Sequence, residues 1–102
     1  MKYTYTALFT PIEDGSGYYC RVPDLPGCIS SGSNLDEAID MIIDAASGWL
    51  CVAEDEDLDI AAPTPQDQIE HEAGAILSLI RVDTIVYRAQ TDTRSVRKNV
   101  SL

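Results

Sequence analysis

The stretch Val22-Pro23-Asp24-Leu25-Pro26-Gly27-Cys28 constrains what this chain can fold into more than any other. Before it, Tyr18, Cys20 and Val22 alternate with Tyr19 and Arg21, the period of a half-buried strand. Two prolines then bracket Asp24-Leu25. Each fixes φ at about −65° and removes an amide donor, so a hydrogen-bond ladder has to stop there. Gly27 lets the chain turn back, and Cys28-Ile29-Ser30 resumes an extended run. The consequence is an antiparallel strand pair joined by a stiff connection.

The remaining elements arrange themselves around that pair. Tyr3, Tyr5, Ala7 and Phe9 alternate with Lys2, Thr4, Thr6 and Thr10, a strand pattern that Pro11 ends. The turn cluster Glu13-Asp14-Gly15-Ser16-Gly17 joins this strand to the next as a hairpin. Asn34 is a good helix N-cap, with Asp36 and Glu37 in the first turn and Glu37 placed for a capping box. Leu35, Ala38, Ile39, Ile42, Ile43, Ala46, Leu50 and Ala53 then mark one apolar stripe of a helix of about five turns, which must cover one face of the sheet. Gly48 weakens that helix by about 1 kcal/mol relative to Ala and suggests close packing. Trp49 reads as core or core edge.

The acidic run Glu54 to Asp59 ends the helical pattern, and Ala61-Ala62-Pro63-Thr64-Pro65 reads as an extended linker. Residues 66–74 are polar and without a clear period. Ala75 to Ile80 is a short apolar run that reads as a buried strand; Val82 to Tyr87 either continues it with a bend or forms a helical turn. A strand that follows a helix is expected to lie parallel to the first strand through a right-handed crossover. The expected fold is therefore α+β, in the order β-β-β-α-β, with three antiparallel strands, a fourth parallel to the first, and the main helix on one face of the sheet.

The chain of 102 residues carries a net charge of −10, unevenly spread. Lys2 and Arg21 are the only cations through Leu79, whereas the C-terminal part carries Arg81, Arg88, Arg94, Arg97 and Lys98 against Asp83 and Asp92. An acidic body favours cationic partners and a basic segment favours phosphates, although solubility alone also explains an acidic surface. Cys20, Cys28 and Cys51 form no C-x-x-C pair, which argues against a disulfide framework or a four-ligand zinc site. They read as small buried apolar residues. With no run of membrane-spanning length and no signal-peptide core, the expectation is a cytoplasmic protein with no membrane contact.

No catalytic constellation is apparent. His71, the single histidine, sits between Glu70 and Glu72 and reads as solvated. There is no nucleophile elbow, P-loop or dinucleotide fingerprint. Asp55, Asp57 and Asp59 match the opening of a calcium loop, but Ile60 and Gln66 stand where that loop needs Gly and Glu, and Pro63 and Pro65 intervene. No cofactor or metal is expected, and no enzyme. The acids at the end of the main helix sit against its dipole, which leaves room for a cationic group there. At the C-terminus Arg97, Asn99 and Ser101 alternate with Lys98, Val100 and Leu102, so they share one side of an extended strand that could read base edges in a major groove; a frayed basic tail has the same composition.

Met1-Lys2-Tyr3, Asp14-Gly15-Ser16-Gly17-Tyr18, Val22-Pro23-Asp24-Leu25-Pro26-Gly27-Cys28 and Gly32-Ser33-Asn34-Leu35-Asp36-Glu37-Ala38 together resemble the HicB antitoxin family. The resemblance continues through Val82-Asp83 and Tyr87-Arg88 to Val96-Arg97-Lys98-Asn99-Val100-Ser101-Leu102, which looks like the start of the family's ribbon-helix-helix module. It is loose between Leu58 and Gly74. It implies a partial RNase H-like domain over residues 1–90, with residues 91–102 as linker and first strand of an incomplete DNA-binding module, truncated after Leu102. The implied role is to bind and neutralise a small basic HicA-type mRNA interferase toxin, with autorepression of its operon through the C-terminal module as the alternative. Operator DNA would be bound only if that module is complete, and a homodimer or higher oligomer is expected. RNase H catalysis needs clustered carboxylates on the first strand, and Tyr3 to Phe9 holds none. Toxin contacts chosen by charge are Asp14, Asp24, Asp36, Glu37, Asp40, Asp44, Glu54 and Asp55; DNA contacts are Arg94, Arg97, Lys98, Asn99 and Ser101.

Overall fold

Strand β1 (Lys2–Pro11) is the strand on which the sheet is built, paired on both sides in a computed structural model that describes residues 1–91. On one side lies β2 (Tyr18–Arg21), antiparallel with Phe9 opposite Cys20, and beyond it β3 (Ile29–Gly32). On the other lies β4 (Ile76–Asp83), with Tyr5 opposite Ile80. The order is β3-β2-β1-β4. Helix α1 (Leu35–Asp55) covers one face, and residues 84–91 form a second helix, α2. No helix among the described residues is long and apolar enough to cross a membrane.

The period of two sorts the residues of β1 between the sheet's faces. Tyr5, Ala7 and Phe9 point toward α1 with Cys20, Ile80 and Val82, and meet Ala38, Ile42, Ala46 and Leu50 of the helix. Each large side chain buried in this layer contributes about 1.5–3 kcal/mol. The alternate residues, Thr4, Thr6, Leu8 and Thr10 with Tyr19, Arg21, Leu77 and Leu79, point to the other face. Among the described residues no α-helix covers that outer face.

The proline turn is held as the prolines require. Val22 N–H donates to the Cys28 carbonyl, Leu25 N–H to Val22, and Cys28 N–H to Leu25, each at 3.0 Å. Gly27 takes φ +81°, a region that costs a side-chain-bearing residue energy. Leu25 drops into the core with 1 % of its surface exposed, so the turn is an anchor as well as a connection. Trp49, at the core edge on α1, donates its indole N–H to the Pro26 carbonyl at 2.9 Å.

The start of α1 follows local rules. Asn34 Oδ1 accepts the Glu37 amide at 2.8 Å, and Glu37 reaches back to the Ser33 amide at 2.9 Å. Its end is less regular. Leu58 N–H donates to the Ala53 carbonyl and Asp57 takes the left-handed φ of +54°, where glycine is usual. At Gly48 an added Cβ would meet Tyr87 Oη at an ordinary 3.6 Å, so close packing does not require glycine there.

The direction of β4 corrects the sequence-based expectation. The fourth strand is antiparallel to the first, the sheet is antiparallel throughout the described strands, and the parallel strand of an RNase H-like layout is not present. The reason lies in residues 56–75. A parallel crossover needs α1 alone to return the chain to the starting end of β1. Here the linker makes a further traverse: Tyr5 Oη on the helix side donates to the Ala61 carbonyl, Thr64 binds Asp24 at the proline turn, and Glu72 binds Thr10 and Arg21 on the outer face. It therefore passes from one face of the sheet to the other and delivers β4 to the opposite end of β1, with Ile76 opposite Phe9.

The ambiguous stretch after Val82 resolves into both alternatives in succession. β4 runs through Asp83, and Asp83 Oδ1 then accepts the amides of Ile85 at 3.0 Å and Val86 at 3.4 Å, capping α2.

Candidate functional site

The eight carboxylates singled out by charge separate into those bound within the chain and those turned outward. Asp24 belongs to the first set. It accepts from the Thr64 amide at 2.8 Å and the Thr64 hydroxyl at 2.7 Å, tying the linker to the proline turn. Glu54 is the centre of a larger cluster. Its Oε2 accepts from Tyr3 Oη at 2.7 Å and lies 3.0 Å from the Thr84 hydroxyl, and its Oε1 accepts from Arg88 at 3.1 Å. Burial pushes the Glu54 carboxyl up, but the hydrogen bonds from Tyr3, Arg88 and Thr84 outweigh it and hold the group below its ordinary value. Burial and the same Glu54 contact push Tyr3 up to about 12.

Arg88 is the cation that the acidic end of α1 calls for. It also donates to the Cys51 carbonyl at 3.0 Å and pairs with Asp55 at 3.0 Å, so one side chain binds the backbone near the helix end and offsets two carboxylates placed against the helix dipole. Charge counting along the sequence did not single out Arg88. The available signal was Asp83-Thr84, a helix cap that places Tyr87 and Arg88 one turn later.

Asp14 and Glu37 make local contacts. Asp14 accepts the Ser16 amide at 2.9 Å in the β1–β2 turn, and hydrogen bonds from the Ser16 side chain and then its amide lower the Asp14 pKa; Glu37 completes the cap of α1. Asp36, Asp40 and Asp44 differ from all of these. They stand four residues apart on α1, so they stack on one exposed side of the helix, and none makes an ion pair among the described residues. Asp40 and Asp44 open onto a 330 Å³ groove that Arg81, Asp83 and Tyr87 close on the side of β4 and α2.

Arg21 and Glu72 pair at 2.8 Å on the outer face, beside a 340 Å³ groove lined by Leu8, Tyr19 and Ile29. His71 is exposed, its Nδ1 3.1 Å from the Glu72 carbonyl oxygen. Cys20, Cys28 and Cys51 are free and buried, and burial raises all three thiols, Cys28 to about 11, which makes them poor nucleophiles. Among the described residues no group of three His, Cys, Asp or Glu side chains is placed to hold a metal ion. Arg94, Arg97, Lys98, Asn99 and Ser101 lie outside the described residues, as does the proposed module of residues 91–102 beyond its first residue.

Residues 5–102 match a family model described as HicB_like antitoxin of bacterial toxin-antitoxin system. No curated protein matches the chain. Among solved structures, a chain of a toxin-antitoxin complex from Streptococcus pneumoniae superposes with a TM-score of 0.74 at 20 % identity, over 85 % of this chain and 73 % of that one. The N-terminal domain of the Burkholderia pseudomallei antitoxin HicB gives 0.68 at 26 % identity, over 78 % of this chain and 98 % of that one. A chain of a HicA3 and HicB3 toxin-antitoxin complex gives 0.63 at 16 % identity, with the same coverage of 78 % and 98 %.

Proposed function

The chain belongs to the HicB-like antitoxin family of bacterial toxin-antitoxin systems, and from that premise we propose that it binds and neutralises a small basic HicA-type mRNA interferase toxin by contact, without catalysis. The observation that carries this reading is the exposed lane Asp36, Asp40 and Asp44 on α1, unpaired among the described residues of a chain whose net charge is −10. A row of carboxylates on a rigid helix attracts a cationic partner over several ångströms and suits a surface evolved to grip phosphates. Glu37 and Asp55 stand beside the lane with partners of their own, the Ser33 amide and Arg88. Asp14 stands apart in its turn, and Asp24 and Glu54 shape the surface from within, because their oxygens already have partners.

Co-expression with the small basic protein encoded beside this chain tests the reading. Growth recovers and the two proteins co-purify if it is correct; continued arrest with no complex refutes it. The alternative, operator DNA bound through Arg94, Arg97, Lys98, Asn99 and Ser101, is favoured by the sequence pattern in which Arg97, Asn99 and Ser101 alternate with Lys98, Val100 and Leu102. Gel shifts on the chain's own promoter decide it, since an Arg97→Ala/Asn99→Ala chain that shifts DNA as well as wild type rules those contacts out.

A further inference from the structure

Helix α1 carries a second, apolar lane on its solvent side. Met41, Ala45, Trp49 and Val52 follow one another at steps of four and three, and Met41 and Val52 remain 45 % and 50 % exposed. Ala45, Trp49 and Val52 of this lane line a 510 Å³ groove whose other wall is Cys28 of the proline turn and Ile29 of β3 and whose far end is Leu58; Met41 lies one turn beyond it along α1. Ile29 and Leu58 are 69 % and 51 % exposed, so the groove presents apolar surface that the fold leaves uncovered. Trp49 is fixed by its bond to the Pro26 carbonyl and forms a rigid floor.

We propose that this groove receives an amphipathic helix of the toxin, apolar on the docking side and carrying lysine or arginine along its flanks. The inference rests on the antitoxin reading and names the part of the partner that α1 grips. Charge selects the occupant. Met41 has Asp44 as a helix neighbour at three residues, Val52 has Glu56 at four, and exposed Asp57 and Asp59 flank Leu58, so acids border these exposed apolar positions. A second copy of this chain would bring acid against acid across the same groove. A basic helix finds complementary charge there. Its length is set by the lane, which runs twelve residues or about three helical turns. Ala45 lies between Met41 and Trp49 as a low point where a ridge of the incoming helix can approach.

The test is the dissociation constant of the co-encoded toxin for the full chain and its variants, each verified by an unchanged melting temperature. Met41→Glu and Val52→Glu should each weaken binding about tenfold, as loss of a buried apolar anchor does. Val52→Lys should weaken it further, because it repels the cationic flank. Leu79→Glu on the outer sheet face should change binding less than twofold. If wild type binds and the Met41 and Val52 variants bind equally well, the groove is not the interface and the inference is overturned. It is overturned equally if Val52→Glu abolishes a homodimer of the free chain and leaves toxin affinity intact. Failure of the wild-type chain to bind the toxin is a different result, and refutes the antitoxin reading itself.

Discussion

Glu54 at the far end of α1 and Asp40 and Asp44 at its middle are carboxylates on the same helix, yet their surroundings differ in kind. Glu54 is bounded by Tyr3, Thr84 and Arg88, residues drawn from β1 and α2. Asp40 and Asp44 look into an open groove and pair with none of the described cations. Asp24, bound to Thr64, sides with Glu54; Asp36 sides with the outward pair. The difference teaches that net charge alone does not locate a binding surface. Acids that fix the positions of β1, α2 and the linker contribute to stability, and the acids without a partner among the described residues are the ones available to a cationic protein outside the chain.

Substitutions can break this division, and the largest effect is expected at Glu54. Glu54→Ala removes the acceptor of three side chains from two other elements and should lower unfolding stability by about 2–3 kcal/mol, read from chemical denaturation. Asp24→Ala should cost less, about 1–2 kcal/mol, because Thr64 sits nearer solvent and water can replace part of the loss.

The pH profile sharpens the same contrast. Glu54 is held below its ordinary pKa, so its contribution is complete above pH of about 4.5 and disappears as pH falls through its lowered folded value. Tyr3 and the three thiols are raised, so their contribution is complete below their unfolded values and is lost as pH rises. That loss begins at about pH 8.5 with the thiols and continues to about 12 with Tyr3. Tyr3→Phe should flatten the upper part of the alkaline limb while leaving its start unchanged. Asp40→Asn and Asp44→Asn should move stability by no more than about 0.5 kcal/mol in either direction, as surface changes do.

What the sequence made legible follows the range of the physics involved. Alternation placed β1 and the strand before the proline turn, the prolines and Gly27 placed the turn, and Asn34 with Glu37 placed the start of α1, all signals contained within a few residues. The direction of β4 was not legible. It depends on a linker without periodicity whose path is set by Tyr5 with Ala61, Asp24 with Thr64, and Glu72 with Arg21, contacts between residues 40 to 56 positions apart. The same distance hid the division among the acids. The objection that carboxylates sit poorly at the end of α1 was sound, but its resolution comes from Arg88, 34 residues beyond Glu54 and on another helix. Leu25 reads from the sequence as a turn residue, and only the packed turn shows that it is core as well.

The account's central claim is that the lane of Asp36, Asp40 and Asp44 on α1, without an ion pair among the described residues, is what the toxin meets. Titration calorimetry of the co-encoded toxin against wild type and an Asp36→Asn/Asp40→Asn/Asp44→Asn chain, at low and physiological salt, tests it most directly. The account predicts binding at least about tenfold weaker at low salt for the triple variant, with a shallower salt dependence, at unchanged melting temperature. Equal affinity and equal salt dependence for the two chains would contradict it.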